Sequence, residues 1–411
     1  MRIAVTANGP GEVAGWLRPL LRALYQRIPD LAVHVFLVPD DYATGREAQT
    51  VGAFFPQAAV YDPKTYLKFA LGRSVAGVPD SVDVVQYIGG DLLHAARLHA
   101  RLKGKAATYK FSRRRYRALF DRAFAVDAQN AAQLEAWGTP RERIDRVGNL
   151  AVDGALLEAQ APPEPGTPED GILIMPGSRA YEVENLVPFY FTTALRILRE
   201  RPGLPIAFGI SPFTPVQDVR DALERGGDPR VFAQRGRLVS EGPRTFAEPL
   251  DGSVRIPVLF ESLAAAARAR LVLTIPGTKT IELAVLGKPA ITITPLNAPE
   301  IITFNGPLTY LDRIPLVGVP LKRAVAVGIS RRFEYHTQPN MDAGAMVLCE
   351  VHGTVTPGRI ARIALERFDD RAWIATTAQR LAALYRDHIG AADRMAASLV
   401  ELGSRGSRGN S

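Results

Sequence analysis

The chain reads as an α/β protein of two Rossmann-like parallel-sheet domains facing a central cleft, followed by C-terminal helices. Three observations predict this. Short branched apolar runs alternate with segments of helical periodicity; the alternation occurs on both sides of a proline-rich acidic stretch; and glycine turns follow several of the apolar runs. Strands are expected at residues 2–6, 33–38, 82–88, 106–109 and 123–126, then again at 172–175, 205–210, 271–275 and 290–293. The stretch Ala161-Pro-Pro-Glu-Pro-Gly-Thr-Pro-Glu-Asp170 separates the two sets. The expected organisation is a first domain over 1–162, a linker over 163–170, a second domain over 171–370, amphipathic helices over 371–402 and a disordered tail over 403–411. No internal repeat is visible.

Composition agrees with this plan. A chain of 411 residues with 47% hydrophobic content can bury two cores. The single cysteine, Cys349, can form no internal disulfide, and Met-Arg-Ile-Ala-Val runs directly into a strand rather than a signal peptide. A cytoplasmic protein is expected. No apolar run approaches the roughly 20 residues of a membrane span. The net charge of +8 suits an anionic partner but is modest for this length, and nucleic acid is not inferred from it.

The most informative segment is Leu271-Val-Leu-Thr-Ile-Pro-Gly-Thr-Lys-Thr-Ile-Glu-Leu-Ala-Val-Leu-Gly-Lys-Pro-Ala-Ile-Thr-Ile293, which reads as strand, glycine turn, short helix and strand. Gly277 lets a ligand approach the backbone, and Thr278, Lys279 and Thr280 bring hydroxyls, an ammonium and unpaired N–H groups to a helix N-terminus. Such a terminus binds anions. Glu282, one turn in, can accept hydrogen bonds from two vicinal ribose hydroxyls. The alternative is an ordinary strand–turn–helix connection with a solvated lysine and a capping threonine. A second loop of the same kind opens the second domain, Met175-Pro-Gly-Ser-Arg179 with Glu182 following. Gly177 makes the turn, Ser178 can cap the helix, and Glu182 complements its dipole. Arg179 at the sheet's carboxyl edge can grip two diphosphate oxygens, or is a surface arginine at a helix start.

In the first domain, Gly9, Gly11 and Ala14 match the dinucleotide fingerprint weakly, because Glu12 would oppose a pyrophosphate there. The loop instead suits close approach of Gly11 to a neutral sugar or acceptor, with Glu12 hydrogen bonding. Gly89-Gly90-Asp91 ends another strand. Asp91 is a candidate general base or a helix N-cap, and the roles can coexist. His94 and His99 show no metal-ligand spacing, so metal-independent chemistry without a cofactor is expected. Residues 64–71 and 110–120 interleave aromatic and basic side chains. They suit a lipid headgroup surface, a solvated loop covering a core, or single-stranded nucleic acid, in that order.

Together the motifs resemble those of the lipid-A-disaccharide synthases, glycosyltransferases of the GT-B fold, almost end to end. The resemblance is carried by Gly11-Glu12 with Gly15, Met175-Pro-Gly-Ser-Arg179 with Glu182-Val-Glu184, Pro276-Gly-Thr278 with Glu282, and Gln338-Pro-Asn340 followed by Cys349-Glu350. It implies UDP binding by the second domain, with donor contacts from Arg179, Thr278, Lys279, Glu282 and Asn340, and a peripheral membrane enzyme whose first domain accepts a lipid-linked sugar. The departures fall in the acceptor half. Ala14 and Trp16 replace Ser and Asp of the family's Gly-Glu-x-Ser-Gly-Asp loop. Ile88-Gly-Gly-Asp91 keeps only the second acid of its Asp-x-Pro-Asp segment, and the run Arg113-Arg114-Arg115 replaces its Ser-Pro-x-Val-Trp-Ala-Trp stretch.

The resulting expectation is a hexosyltransferase moving an N-acetylglucosamine-type sugar from a UDP-sugar to a lipid-linked acceptor at the inner membrane face. Asp91 or Glu12 would deprotonate the acceptor, and Arg179 and Lys279 would stabilise the leaving UDP. The donor-binding candidates are Gly11, Gly177, Ser178, Gly277, Thr278, Lys279, Thr280, Glu282 and Asn340. Two rivals stand beside it: a UDP-sugar epimerase of the same architecture, acting on the donor alone, and a sugar-nucleotide-binding regulator. The amphipathic C-terminal helix leaves a homodimer open.

Overall fold

Branched apolar runs form the central strands of two sheets in a computed structural model that describes residues 1–39, 45–116, 118–212, 214–227, 230, 233–260, 262–295 and 334–407. The first sheet contains β1 (Arg2–Ala7), β2 (Ala32–Leu37), β3 (Ala59–Tyr61), β4 (Val84–Tyr87), β5 (Lys105–Tyr109), β6 (Arg122–Ala125) and β7 (Ile144–Arg146). Their order is β3-β2-β1-β4-β5-β6-β7, with every pairing parallel. Parallel strands need both faces covered. Accordingly, β1 sends Ile3, Val5 and Ala7 into one core and Ala4 into the opposite one, beside Phe36, Tyr66 and Leu98.

The second sheet contains β8 (Ile172–Ile174), β9 (Ile206–Gly209), β10 (Gly236–Glu241), β11 (Arg244–Pro249), β12 (Ile256–Leu259), β13 (Leu271–Thr274), β14 (Ala290–Pro295) and β15 (Cys349–Gly353), in the order β10-β11-β12-β9-β8-β13-β14-β15. From β12 to β15 the neighbours are parallel. An antiparallel hairpin, β10–β11, extends one edge and was not expected from the sequence. Its strands are half exposed and polar. The buried carboxylate of Glu248 holds Arg237 at 2.6 Å and Arg255 at 3.0 Å.

By its internal contacts the chain forms two compact units, Met1–Leu157 with Asp387–Ser411, and Glu158–Arg386. The first unit is thus discontinuous. Ala391, Met395, Ala396, Leu399 and Leu402 of the helix Ala391–Ser407 are buried in its core and pack on the helix Arg18–Arg27. That helix carries through residues 403–407 of the expected tail, and residues 408–411 lie outside the described residues. The preceding helix, Arg371–Tyr385, buries Leu381 and Tyr385 and lays Trp373 and Ile374 on the second unit's core. Its apolar face is therefore engaged within the chain. The proline-rich stretch is packed rather than extended into solvent: Glu164 accepts the Phe260 N–H at 2.5 Å, and Asp170 pairs with Arg270.

Candidate functional site

Open α/β sheets bind ligands where the strand order reverses, outside the carboxyl ends of the strands. In the second unit the chain passes from β8 to β9 on one side, and β13 lies on the other, so the reversal falls between β8 and β13. The two glycine loops leave the sheet at this point. They are fastened together: Thr274 Oγ1 donates to the Met175 carbonyl at 2.9 Å, the Met175 N–H to Leu273 at 2.8 Å, and the Tyr190 hydroxyl to the Thr274 carbonyl at 2.6 Å.

The loops differ in what their amides do. After β8, Glu182 Oε2 accepts the Ser178 and Arg179 N–H groups at 2.9 and 3.0 Å, and Oε1 accepts the Tyr181 hydroxyl at 3.0 Å. Glu182, not Ser178, therefore caps the helix Ala180–Glu200, with Arg179 at the N-cap position. Glu182 thus supplies the carboxylate half of a capping box, while Arg179, a donor without an acceptor, supplies none of the other half. Gly177 has φ +111°, and a Cβ there would stand 2.3 Å from Glu182 Oε2, so only glycine fits. The Arg179 guanidinium is half exposed and 4.0 Å from Glu182.

After β13, Gly277 precedes the helix Thr278–Val285. Its carbonyl accepts the N–H and hydroxyl of buried Thr280 at 3.0 and 2.7 Å, which makes Thr280 a residue of the turn. Gly277 and Thr278 are exposed, and the first amides of this helix have no intrahelical acceptors. Lys279 and Glu282 form an ion pair at 2.6 Å. Burial lowers the lysine's proton affinity, but Glu282 and Glu158 outweigh it and hold the ammonium above its usual range. Two groups expected to meet a diphosphate and a ribose are thus paired with each other.

Asn340 is fully buried and its amide is spent on the protein. Oδ1 accepts the Val347 and Leu348 N–H groups at 2.8 and 2.7 Å, while Nδ2 donates to the Leu348 carbonyl at 3.1 Å and to Glu350 at 2.7 Å. It organises the turn instead of facing a donor. Asn340→Ala is expected to cost about 2–4 kcal/mol in urea unfolding, through stranded buried partners.

Sequence reasoning gave no role to the cluster around Glu350 on β15. Its side chain is fully buried. It accepts the His336 N–H, the Thr337 N–H and the Thr337 hydroxyl at 2.9, 2.9 and 2.6 Å, and lies 3.2 Å from His352 Nε2. Burial pushes Glu350 up, but these hydrogen bonds outweigh it and hold the carboxyl below its usual range. The His336 and His352 rings are 4.0 Å apart. Burial, then His336, pushes the His352 imidazole down. Glu350 and His352 share a face of β15 by the two-residue strand repeat, and the turn entering the helix Gln338–Ala343 brings His336 and Thr337 onto them. Among the described residues, no three His, Cys, Asp or Glu are grouped to hold a metal ion.

The first unit has its own reversal point, between β1 and β4, and Glu12 and Asp91 are both there. A Cβ on Gly89 would lie 1.6 Å from Glu12 Oε2 and 2.7 Å from Asn8 Oδ1, so the carboxylate rests directly on Gly89. Glu12 also accepts the Asn8 N–H at 3.3 Å. Exposed Gly11 is the middle residue of the short helix Pro10–Glu12 in the same turn. Asp91 is exposed and caps the helix Leu92–Leu102, accepting the Leu93 N–H at 2.8 Å. Tyr87, buried beneath, is raised by burial, then by Glu12 and Asp91, while Arg113 opposes them.

The basic-aromatic segments turn their rings mostly inward. Tyr66, Phe69 and Phe120 are core residues, and the Tyr66 hydroxyl lies 2.7 Å from His94 Nδ1. Lys64 and Lys68 occupy the solvent face of the helix Pro63–Ala70, as expected for an amphipathic surface helix. No helix among the described residues is long and apolar enough to cross a membrane.

No family model matches the chain, and no curated protein matches it. Solved structures do. A Listeria monocytogenes protein assigned as a UDP-N-acetylglucosamine 2-epimerase superposes with a TM-score of 0.59 at 14% identity, covering 97% of this chain and 96% of its own. The Staphylococcus aureus MnaA–UDP structure gives 0.56 at 15% identity, with coverage of 96% and 94%. The Neisseria meningitidis UDP-GlcNAc 2-epimerase bound to UDP-GlcNAc gives 0.54 at 13% identity, with 98% and 100%. The fold is GT-B-like. At such low identity these likenesses establish architecture, and they overturn the expected kinship: the neighbours are epimerases, not lipid-A-disaccharide synthases. The expected hexosyltransferase activity, lipid-linked acceptor and peripheral-membrane placement are withdrawn with it.

Proposed function

We propose that the chain binds a UDP-sugar at the carboxyl edge of its second sheet and isomerises the sugar as an epimerase-type enzyme acting on that substrate alone. The observation that carries this reading is the pair of glycine loops bolted side by side at the strand-order reversal, one of them ending in an open helix N-terminus. Neighbouring structures of the same architecture, bound to UDP or UDP-GlcNAc, support it. The Thr278 and Lys279 amides, the Lys279 ammonium and the Arg179 guanidinium meet the diphosphate. Glu282 accepts the ribose hydroxyls.

Epimerisation breaks a C–H bond and remakes it on the other face. With no carbonyl beside that carbon, the electron pair is taken up as UDP leaves the neighbouring anomeric carbon, and UDP re-adds when the proton returns. The site therefore needs a group that takes up and gives back a proton. In this unit we assign that exchange to His352, whose Nε2 lies 3.2 Å from Glu350 on β15 and whose imidazole is favoured in the neutral, proton-accepting form by burial. The test is incubation with UDP-N-acetylglucosamine alone in deuterium oxide, followed by proton NMR. New anomeric signals with deuterium at the inverted carbon are expected. Retained UDP binding with neither signal nor exchange would reduce the chain to a nucleotide-binding protein.

A further inference from the structure

The loop after β5 in the first unit holds a cation that the proposed reaction does not use. Lys110 is the first residue beyond β5 and adopts φ +66°, a left-handed conformation costly for a lysine. Its backbone is pinned from both sides: its N–H donates to the Phe124 carbonyl at 2.8 Å, and its carbonyl accepts from Asn130 Nδ2 at 2.9 Å. Strained residues over-determined in this way cluster at ligand sites. The turn carries the half-buried ammonium between two rings, 5.8 Å from the Trp16 centroid and 5.6 Å from that of Phe111.

Among the described residues the ammonium has no hydrogen-bond acceptor and no ion-pair partner. The opposite charge acting on it is Asp127, whose Oδ1 is engaged in capping the helix Ala128–Ala136 at Asn130. A partly desolvated lysine without an acceptor is an open valence for an anion. The neighbouring loops contain other unspent polar atoms: the Ser112 hydroxyl and Asn8 Oδ1 are buried without partners. The Phe111 ring is 41% exposed, enough to cover the C–H face of a sugar.

We propose that Lys110, with Phe111 and Trp16, forms a subsite in the first unit for a monosaccharide carrying a phosphate or a carboxylate. The ammonium takes the anion and the Phe111 ring stacks on the pyranose. The subsite belongs to the first unit and the two glycine loops to the second, so UDP binding serves as the internal control.

The experiment is calorimetry on the full chain with glucose 1-phosphate, glucuronate, glucose and inorganic phosphate at fixed ionic strength. It is paired with Trp16 fluorescence in a Trp137→Phe, Trp373→Phe background. At least one anionic sugar is expected to bind and to change Trp16 emission, with glucose weaker by about tenfold or more. The two anionic sugars distinguish phosphate from carboxylate as the recognised group. Lys110→Gln is expected to weaken that ligand by about tenfold, Lys110→Arg less, and Phe111→Ala by about fivefold, with melting curves and UDP affinity unchanged. Inorganic phosphate binding as well as glucose 1-phosphate, undiminished affinity in Lys110→Gln, or no binding of either anionic sugar would each overturn the proposal.

Discussion

Glu282→Ala is expected to weaken UDP binding by about a hundredfold, through loss of two charge-assisted hydrogen bonds to the ribose worth about 1.5 kcal/mol each. The effect should fall on the nucleoside: in calorimetry, wild type should prefer UDP to 2′-deoxy-UDP, and the variant should not distinguish them. Lys279 loses its 2.6 Å partner in the same variant, so Lys279→Ala is the necessary companion. That substitution removes a phosphate contact but frees Glu282, and should preserve the ribose preference while weakening pyrophosphate recognition. Equal loss of the preference in both variants would mean that the ion pair acts as a structural unit and that Glu282 does not touch the sugar.

The two loops were legible because their signals are local. Central strands such as β1, β8 and β13 are buried on both faces and read as unbroken apolar runs, and the Pro-Gly pairs Pro176-Gly177 and Pro276-Gly277 mark their ends. Strands β3, β7, β10, β11, β12 and β15 were missed: β3 and β7 span three residues each, the edge hairpin trades apolar runs for Arg237, Glu241, Arg244 and Glu248, Pro257 interrupts β12, and β15 carries Glu350 and His352. At the site, residue identity was readable but orientation was not. Asn340 has the chemistry of a ligand contact, but the chain returns at Val347 and Leu348 to consume its amide. Ser178 looks like a cap in sequence, whereas in space the Glu182 carboxylate reaches its N–H first. Glu350 was visible as a motif residue, but its role as a hub emerged only when the fold set β15 against His336, Thr337 and Asn340.

Glu350→Ala is expected to be the most destabilising single change in the second unit, at about 3–5 kcal/mol, because it strands the donors of His336, Thr337 and Asn340 around a buried cavity. The pH dependence follows from the direction of its shift. The folded carboxyl titrates below the unfolded one, so its stabilisation is complete above the unfolded value of about 4.3 and is lost as pH falls through the folded value. Urea midpoints measured from pH 6 down to pH 3 should fall in wild type, and the slope should flatten in Glu350→Gln, which cannot titrate. An unchanged slope would assign the acid sensitivity to other carboxylates.

The discontinuity of the first unit sets an order of events during synthesis. The second unit, Glu158–Arg386, is continuous and has all its strands once Arg386 has left the ribosome. The first unit emerges earlier yet cannot finish its core, since Met395, Leu399 and Leu402 must travel back to Leu20, Leu21 and Leu24 from more than 350 positions downstream. Until then its sheet carries an uncovered apolar strip, the condition in which nascent chains recruit chaperones or aggregate. Loss of the final helix should therefore send the first unit to inclusion bodies or proteolysis while leaving the second, with its two glycine loops, folded.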